Sequence, residues 1–245
     1  MFIIWLYIHM PYFSENNIFF VHVPRTAGTS IEYSLGIDSI KKQSTNKMHG
    51  NMYGYKDNVE LDHATIRLVH DLFGKDRFDN SLSFAVKRNP INRLASTYRH
   101  FNKYPQFAFL SGIQKNFYDF CLAIYRVKDD LHQFPHYMTS HLLQQKDYIF
   151  FENKITVKHL LKFENLENDY KKFVQQNSLK IYNKLPNKNR TSDASNPRDT
   201  LKNLNYTYSP VKKFINLNSK TTKLLDMIFE IYEQDFLALS YEMKI

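Results

Sequence analysis

Cysteine is nearly absent from this sequence, because only Cys121 of 245 residues carries a thiol. A single cysteine excludes an internal disulfide and a zinc site built from several thiolates, and it fits a reducing compartment. The sequence also lacks internal repeats and long low-complexity stretches. Its Asn/Lys-rich segment 183–197 has the composition of a loop within a domain. We therefore expect a single domain over residues 1–245.

A long hydrophobic run is missing as well. The N-terminal MFIIWLYIHM is interrupted by Pro11 after about ten residues, whereas a membrane-spanning helix needs roughly 20. It has neither the basic start nor the small-residue cleavage site of a signal peptide. Three interpretations stay open: an extra edge strand, an anchor for peripheral contact with a membrane, or residues added by a start codon upstream of Met10. We expect residues 1–16 to be a dispensable extension and the location to be cytoplasmic, with membrane association only through this N-terminus.

Acidic residues are too few to balance the basic ones. The sequence has 33 Lys and Arg against 24 Asp and Glu, a formal net charge of +9. This surplus suits anionic ligands such as phosphates, sulfates or acidic glycans, without choosing among them. The hydrophobic content of 43% excludes a disordered chain.

Apolar runs alternate with helical patterns along the chain. NIFFVHV and SLSFAVKR are typical of strands buried on both faces, and DYIFFE and VKHLLKFE are further strand candidates. Helices are predicted for TSIEYSLG and DHATIRLVHDLFG, which stop at Gly36 and Gly74, and for NPINRLASTYRHF, which begins with an Asn cap and a proline. NLENDYKKFVQQN and SKTTKLLDMIFEIYEQDFLAL predict two more. This order favours an α/β fold, P-loop-like and three-layered (α/β/α), with a central, mostly parallel sheet.

The segment HVPRTAGTSI joins the first strand to its helix. A loop entering a helix presents backbone N–H groups and the positive end of the helix dipole, which attract anions. Gly28 permits a close backbone approach, Thr29 and Ser30 add hydroxyl donors, and Arg25 adds a cation. Compared with the nucleotide triphosphatase loop G-x-x-x-x-G-K-[ST], Val23 replaces the first glycine and Thr29 the lysine. The pattern predicts an anion site that is not a Walker A loop.

A second strand–loop–helix unit carries the segment KRNPINRLAS. Arg88 closes the strand, and Ser96 follows eight residues later in the second turn of the next helix. Both side chains are placed to bind a second anion beside the first. Two adjacent anion sites predict a doubly phosphorylated ligand, while Arg93 and Arg99 are interpreted as surface or packing cations.

These segments resemble the sulfotransferases that use 3′-phosphoadenosine 5′-phosphosulfate (PAPS), and among them the branch that acts on carbohydrates. HVPRTAGTSI is similar to the family's 5′-phosphosulfate loop, hIPKTGGTSi, and FAVKRNPINRLASTYRHF to its 3′-phosphate site. Weaker similarities follow in order: HLLQQ to an H-x-x-P-Q motif in which Gln144 replaces the proline, then LKFENLENDYKKF, NKNRTSD and IYEQDFLALSYE. The resemblance runs from about Ile18 to Glu242.

The resemblance implies a role for each matching residue. The 5′-phosphosulfate would be held by the loop residues Arg25, Thr26, Ala27, Gly28, Thr29 and Ser30. Arg88 and Ser96 would hold the 3′-phosphate, and Arg190 and Thr191 would close over the nucleotide. Arg25 replaces the commoner lysine and Ala27 a glycine; arginine keeps the charge on a bulkier, forked group.

Sulfuryl transfer needs a cation near the leaving phosphate and a base for the acceptor hydroxyl, and it requires no metal. A neutral histidine suits the base. His63 begins the second predicted helix, where related carbohydrate sulfotransferases carry a catalytic histidine. The alternative is that His63 only caps this helix after Asp62. The reserve candidates for the base are Glu32, Glu60 and His49.

The resemblance implies a glycan or polysaccharide acceptor, with His141, Gln145 and Glu164 as candidate acceptor contacts. Glu164 has the alternative of capping the next helix or pairing with a basic neighbour. His22 and His70 are interpreted as structural. The acceptor-facing segments 37–61 and 104–137 identify no particular sugar, and the oligomeric state stays open.

Two other functions remain open on sequence grounds. A P-loop kinase of small molecules should have a Walker lysine, which is absent, and a magnesium-binding acid after a strand, which is not evident. A non-enzymatic polyanion or RNA binder should expose aromatic residues among Lys and Arg, whereas FFVHV and DYIFF are typical of a core. We expect no nucleic-acid partner.

Overall fold

The computed structural model describes residues 12–13, 16–36, 55–56, 59–103, 116–134, 136–181, 185–186 and 219–242. The chain divides into two compact units. The first comprises Met1–Arg88 and Gln145–Asn189, and the second Asn89–Gln144 and Arg190–Ile245. The single sulfotransferase domain over residues 1–245 stays a prediction.

The two predicted strand–loop–helix units are present, together with further short strands and helices. The strands are β1 Tyr12–Phe13, β2 Ile18–Val21, β3 Tyr55–Lys56, β4 Val59–Glu60, β5 Leu82–Lys87, β6 Phe150–Phe151, β7 Lys154–Ile155 and β8 His159–Lys162. The helices are α1 Gly28–Ser34, α2 Ile66–Phe73, α3 Lys75–Asp79, α4 Pro90–Lys103, α5 Phe117–Arg126, α6 His136–Leu142, α7 Gln145–Ile149, α8 Leu166–Gln176 and α9 Ser219–Ala238. Short 3₁₀ turns lie at Leu61–His63, Leu131–Gln133 and Phe163–Asn165.

The first unit is built on a four-stranded sheet in the order β1-β2-β5-β8. β2, β5 and β8 run parallel, and β1 pairs antiparallel with β2. Successive side chains of a strand lie on opposite faces. On one face Phe20 and Phe84 pack with Phe173 of α8; on the other, the Phe19 ring lies 5.1 Å from the Phe78 ring of α3. Helices therefore cover both faces, which confirms the three-layer α/β/α fold with a mostly parallel sheet.

The described residues of the second unit form helices. α9 packs against α4 and α5. The Tyr232 hydroxyl donates a hydrogen bond to Leu142 O at 3.0 Å, and Arg93 donates to the carbonyls of His141 and Leu143. Arg93 is 1% exposed, so it is a packing cation, one of the two predicted roles.

The predicted helix boundaries are correct where a local signal marks them. Gly36 and Gly74 adopt positive φ values of 99° and 82° just after α1 and α2, a conformation that glycine tolerates. Asn89 caps α4, accepting a hydrogen bond from the Asn92 N–H at 3.2 Å. The start of α2 was predicted too early: the helix begins at Ile66, after Thr65 as its cap.

The predicted strand DYIFFE is wrong in its first half. Residues 145–149 form α7, which buries Tyr148 and Ile149 completely. Only Phe150–Phe151 is extended, and it pairs with β7 in a two-residue hairpin whose turn residues, Glu152 and Asn153, have positive φ.

Two residues of the N-terminal segment are described. Tyr12 and Phe13 form an edge strand, which is one of the three interpretations of this segment, and the Tyr12 ring lies 4.7 Å from that of Phe19. The dispensability of residues 1–16 stays a prediction. In the described part of the chain, helices that combine the length and the apolar character needed to cross a membrane are not found.

Candidate active site

The loop between β2 and α1 has a constrained backbone. Arg25 and Ala27 both adopt left-handed φ values, 68° and 72°. The Thr26 hydroxyl is buried and donates to Val23 O at 2.7 Å, which ties the loop to the end of β2. The Ser30 N–H donates to Ala27 O at 3.0 Å and so starts α1. The first N–H groups of a helix have no intrahelical acceptor, so those of Gly28 and Thr29 are presented to the loop.

Gly28 lies directly against the imidazole of His22. A Cβ atom placed on Gly28 would be 1.8 Å from His22 Nε2, far inside any real contact. His22 is 7% exposed, and its Nδ1 atom lies 2.7 Å from Oε1 of the buried Glu32 in α1. The glycine is therefore required by the close packing of loop and strand. His22 lies directly after β2, and its interpretation as a structural residue stays a prediction.

His63 lies beside His22. The two rings are nearly perpendicular with centroids 4.5 Å apart, and His63 Nδ1 is 3.4 Å from the His22 carbonyl oxygen. His63 belongs to the 3₁₀ turn Leu61–His63, and α2 is capped instead by Thr65, whose Oγ1 accepts from the Leu68 N–H. The interpretation of His63 as a helix cap is therefore wrong.

His63 is held in its neutral form. Burial lowers its pKa from the ordinary value of 6.5 to about 4, although the nearby carboxylates of Asp62 and Glu32 act to raise it. A neutral imidazole has one nitrogen that accepts a proton. Nδ1 lies 3.4 Å from the His22 carbonyl oxygen and Nε2 3.9 Å from Asp62 Oδ2. In the tautomer with hydrogen on Nδ1, Nε2 is the proton acceptor.

Arg88 connects three segments of the first unit. Its Nη1 atom donates to Arg25 O at 2.8 Å, and its guanidinium carbon lies 3.9 Å from the centroid of the Phe163 ring. Its backbone N–H donates to Gln145 Oε1, and its carbonyl accepts from Gln145 Nε2, both at 2.8 Å. Arg88, the predicted 3′-phosphate ligand directly after β5, therefore also contacts the loop after β2. Gln145, predicted at the acceptor, is fully buried with its amide on the Arg88 backbone.

The other predicted site residues that the structure describes belong to both units. Ser96 in α4 and His141 in α6 belong to the second unit, and both are buried. Glu164 is exposed in the turn Phe163–Asn165 of the first unit, where Asn165 and not Glu164 holds the cap position of α8. The remaining candidates, Arg190, Thr191 and His49 and the side chain of Glu60, lie outside the described residues. Among the described residues no cluster of acidic, His and Cys side chains could hold a metal.

The sequence analysis did not predict two contacts of the site. Phe163 stacks under Arg88, and Glu32, predicted only as a reserve base, pairs with His22. The spacing of Gly28 and Glu32, one helical turn apart, was the available signal: it places both side-chain positions on the face of α1 that meets the strand.

The sequence of the chain matches a family model. The model described as Sulfotransferase family matches residues 9–242, nearly the whole chain. No curated protein and no solved structure gives a significant match. The matched range contains the loop after β2, His63 and the end of β5, and the chain belongs to the sulfotransferase family.

Proposed function

We propose that the protein transfers a sulfuryl group from PAPS to a hydroxyl of a carbohydrate, with His63 as general base. The observation that carries the proposal is a buried, neutral imidazole whose ring lies 4.5 Å from that of His22, while the His22 ring contacts Gly28 of the anion-binding loop. A base next to the reactive end of the donor is what the reaction requires.

The loop residues Arg25 to Ser30 would hold the 5′-phosphosulfate through backbone N–H groups, the hydroxyls of Thr29 and Ser30, and the Arg25 guanidinium. The Thr26 hydroxyl already bonds to Val23 O, so Thr26 would contribute its backbone N–H. Arg88 and Ser96 would hold the 3′-phosphate, and Arg190 and Thr191 would cover the nucleotide. PAPS is then the co-substrate, and the chemistry requires no metal.

The transfer is an in-line displacement at sulfur. The acceptor oxygen forms a bond to sulfur as the bond from sulfur to the bridging phosphate oxygen breaks. The electron pair of that bond stays on the phosphate of 3′,5′-diphosphoadenosine, where Arg25 stabilises the developing charge. The proton of the acceptor hydroxyl moves to Nε2 of His63, while Nδ1–H donates to the His22 carbonyl.

The carbohydrate acceptor rests on the resemblance to the glycan branch. His141 and Glu164 are its proposed contacts. A contact from Gln145 would compete with the hydrogen bonds that its amide makes to Arg88. Membership of the sulfotransferase family does not favour a P-loop kinase or a polyanion binder, and it leaves cytoplasmic location as a prediction.

The base is tested with His63→Ala. Radiolabelled PAPS is incubated with a glycan panel, and affinity for 3′,5′-diphosphoadenosine is measured by calorimetry. We expect transfer to fall about 100-fold or more, the scale for losing a general base, with nucleotide affinity near wild type. The exposed His132 provides a matched control, His132→Ala, which should keep full activity.

The same experiments contain the outcomes that contradict the proposal. Full turnover of His63→Ala, or a loss of affinity in step with activity, assigns His63 another role. Label only on phenols or proteins overturns the carbohydrate acceptor. Equal affinity for 3′,5′-diphosphoadenosine and ADP contradicts the two-phosphate donor site.

A further inference from the structure

We infer that Gln145 is a positioning residue that acts through Arg88 on the backbone of Arg25. The residue directly after β5 would then hold the loop after β2 in the conformation that binds the 5′-phosphosulfate. The inference rests on the proposed function and assigns Arg88 a task beyond binding the 3′-phosphate. It follows from a chain of four hydrogen-bonded or stacked contacts within the first unit.

The first step is the pairing of Gln145 with the Arg88 backbone. β5 ends at Lys87, so the backbone groups of Arg88 lie beyond the sheet ladder and need other partners. The Gln145 amide supplies an acceptor and a donor at once, both at 2.8 Å. Because Gln145 is fully buried, water does not compete for these bonds, and the direction in which Arg88 leaves the strand is fixed.

The second step fixes the guanidinium. The Phe163 ring supports its face at 3.9 Å, and Nη1 donates to Arg25 O at 2.8 Å. A hydrogen bond from a charged donor is stronger than one between neutral groups, and the planar guanidinium suits stacking on an aromatic ring. Lysine at this position would keep the charge but lose both the stacking on Phe163 and the forked N–H donors of the guanidinium.

The third step connects Arg88 to the conformation of the loop between β2 and α1. Arg25 has a φ of 68°, which an L-residue other than glycine adopts only with support from its surroundings. The Arg25 carbonyl and the Thr26 N–H belong to one planar peptide and point in opposite directions. By holding the carbonyl, Arg88 therefore also sets the direction of the Thr26 N–H in the loop.

The inference predicts that Arg88 affects binding at both phosphate positions, which the affinities of two nucleotides can test. If Arg88 served only the 3′-phosphate, removal of the Gln145 hydrogen bonds, which leaves every charge in place, would not change the affinity for a nucleotide that lacks this phosphate. If it also holds the loop, removal weakens binding of both nucleotides. Adenosine 5′-monophosphate and 3′,5′-diphosphoadenosine differ in the 3′-phosphate alone and form the matched probe pair.

The experiment measures the Kd of both nucleotides by ligand-observed NMR for wild type, Gln145→Met and Arg88→Ala. Methionine keeps the volume of Gln145 but removes both hydrogen bonds. We expect the Kd of adenosine 5′-monophosphate to rise about threefold to tenfold in each variant, the range that one net hydrogen bond gives. The Kd of 3′,5′-diphosphoadenosine should rise further in Arg88→Ala. Gln175→Met, an exposed glutamine in α8, is the control and should match wild type.

Unfolding temperatures are recorded beside the Kd values. A purely structural role of Gln145 would lower the unfolding temperature of Gln145→Met and leave the affinity of its folded form unchanged, which overturns the inference. An unchanged monophosphate Kd in Arg88→Ala overturns it as well, and this variant decides if Gln145→Met does not fold. A wild type that does not prefer 3′,5′-diphosphoadenosine contradicts the proposed function instead, while the monophosphate comparison still decides the coupling.

Discussion

The buried state of His63 predicts a measurable loss of stability in acid. Its folded-state pKa is about 4 against an ordinary value of 6.5, with burial as the main cause. Between these two values the unfolded chain binds a proton that the folded protein does not. His63 therefore leaves stability unaffected above pH 6.5 and lowers the free energy of unfolding as the pH falls towards 4. The difference between the two pKa values corresponds to a loss on the order of 3 kcal/mol.

The assay is urea unfolding of wild type and His63→Gln at steps from pH 7.5 to pH 4. Glutamine does not titrate in this range, so wild type should lose on the order of 3 kcal/mol more than the variant. His70 and His159, whose pKa values burial also lowers, are present in both proteins and cancel in the comparison. Parallel stability curves for the two proteins would refute the reasoning.

Three further results are expected. Since His63 in the enzyme without substrate stays deprotonated down to about pH 5, kcat/KM should show no acid limb near pH 6.5 in a transfer assay; a limb there would assign the base to another group. Gly28→Ala should destabilise the protein by about 1–3 kcal/mol in urea unfolding, because its Cβ would meet the His22 ring, and His22→Ala in the same chain should relieve part of the loss. Ala27→Gly should raise the free energy of unfolding by about 0.5–1 kcal/mol, since glycine adopts the φ of 72° without strain. A variant with a lower free energy of unfolding than wild type would contradict this.

Much of the fold follows from local patterns in the sequence. The run around Ile18–Val21 is apolar at every position because both faces of the sheet are covered. Gly36 and Gly74 mark helix ends because each must adopt a positive φ. Asn89 marks a helix start because its side chain caps the first turn. Each of these features depends on a few neighbouring residues, so the sequence alone is sufficient to predict it.

The segment 145–151 shows where local pattern fails. A short apolar run such as DYIFF is compatible with a buried strand and with a buried turn of helix. Tyr148 and Ile149 are consecutive and both fully buried, which a helix permits when other elements surround it. Packing around α7 therefore decides its conformation, and that packing involves residues distant in sequence.

The same distinction between local and long-range features applies to the candidate site. The strand–loop–helix arrangement around Gly28 was predictable, because these elements are consecutive in the sequence. The contacts of Arg88 with Arg25 and of His63 with His22 join residues 63 and 41 positions apart. The first contact depends on the neighbouring parallel strands β2 and β5, which end at the same edge of the sheet, and the second on the packing of the turn Leu61–His63 against the residues that follow β2. The sequence predicts that Arg88 and His63 lie near the proposed donor, but it does not predict the residues that they contact.

The strained backbone of the loop between β2 and α1 explains why it needs these partners. Arg25 and Ala27 are L-residues in left-handed conformations, which cost about 1–2 kcal/mol each. The hydrogen bond from Thr26 to Val23 O contributes about 1 kcal/mol, and the charge-assisted bond from Arg88 to Arg25 O about 1.5–3 kcal/mol. These gains offset the two strained residues. The loop can then keep its conformation without a ligand, so that the proposed donor would not lose affinity in arranging it.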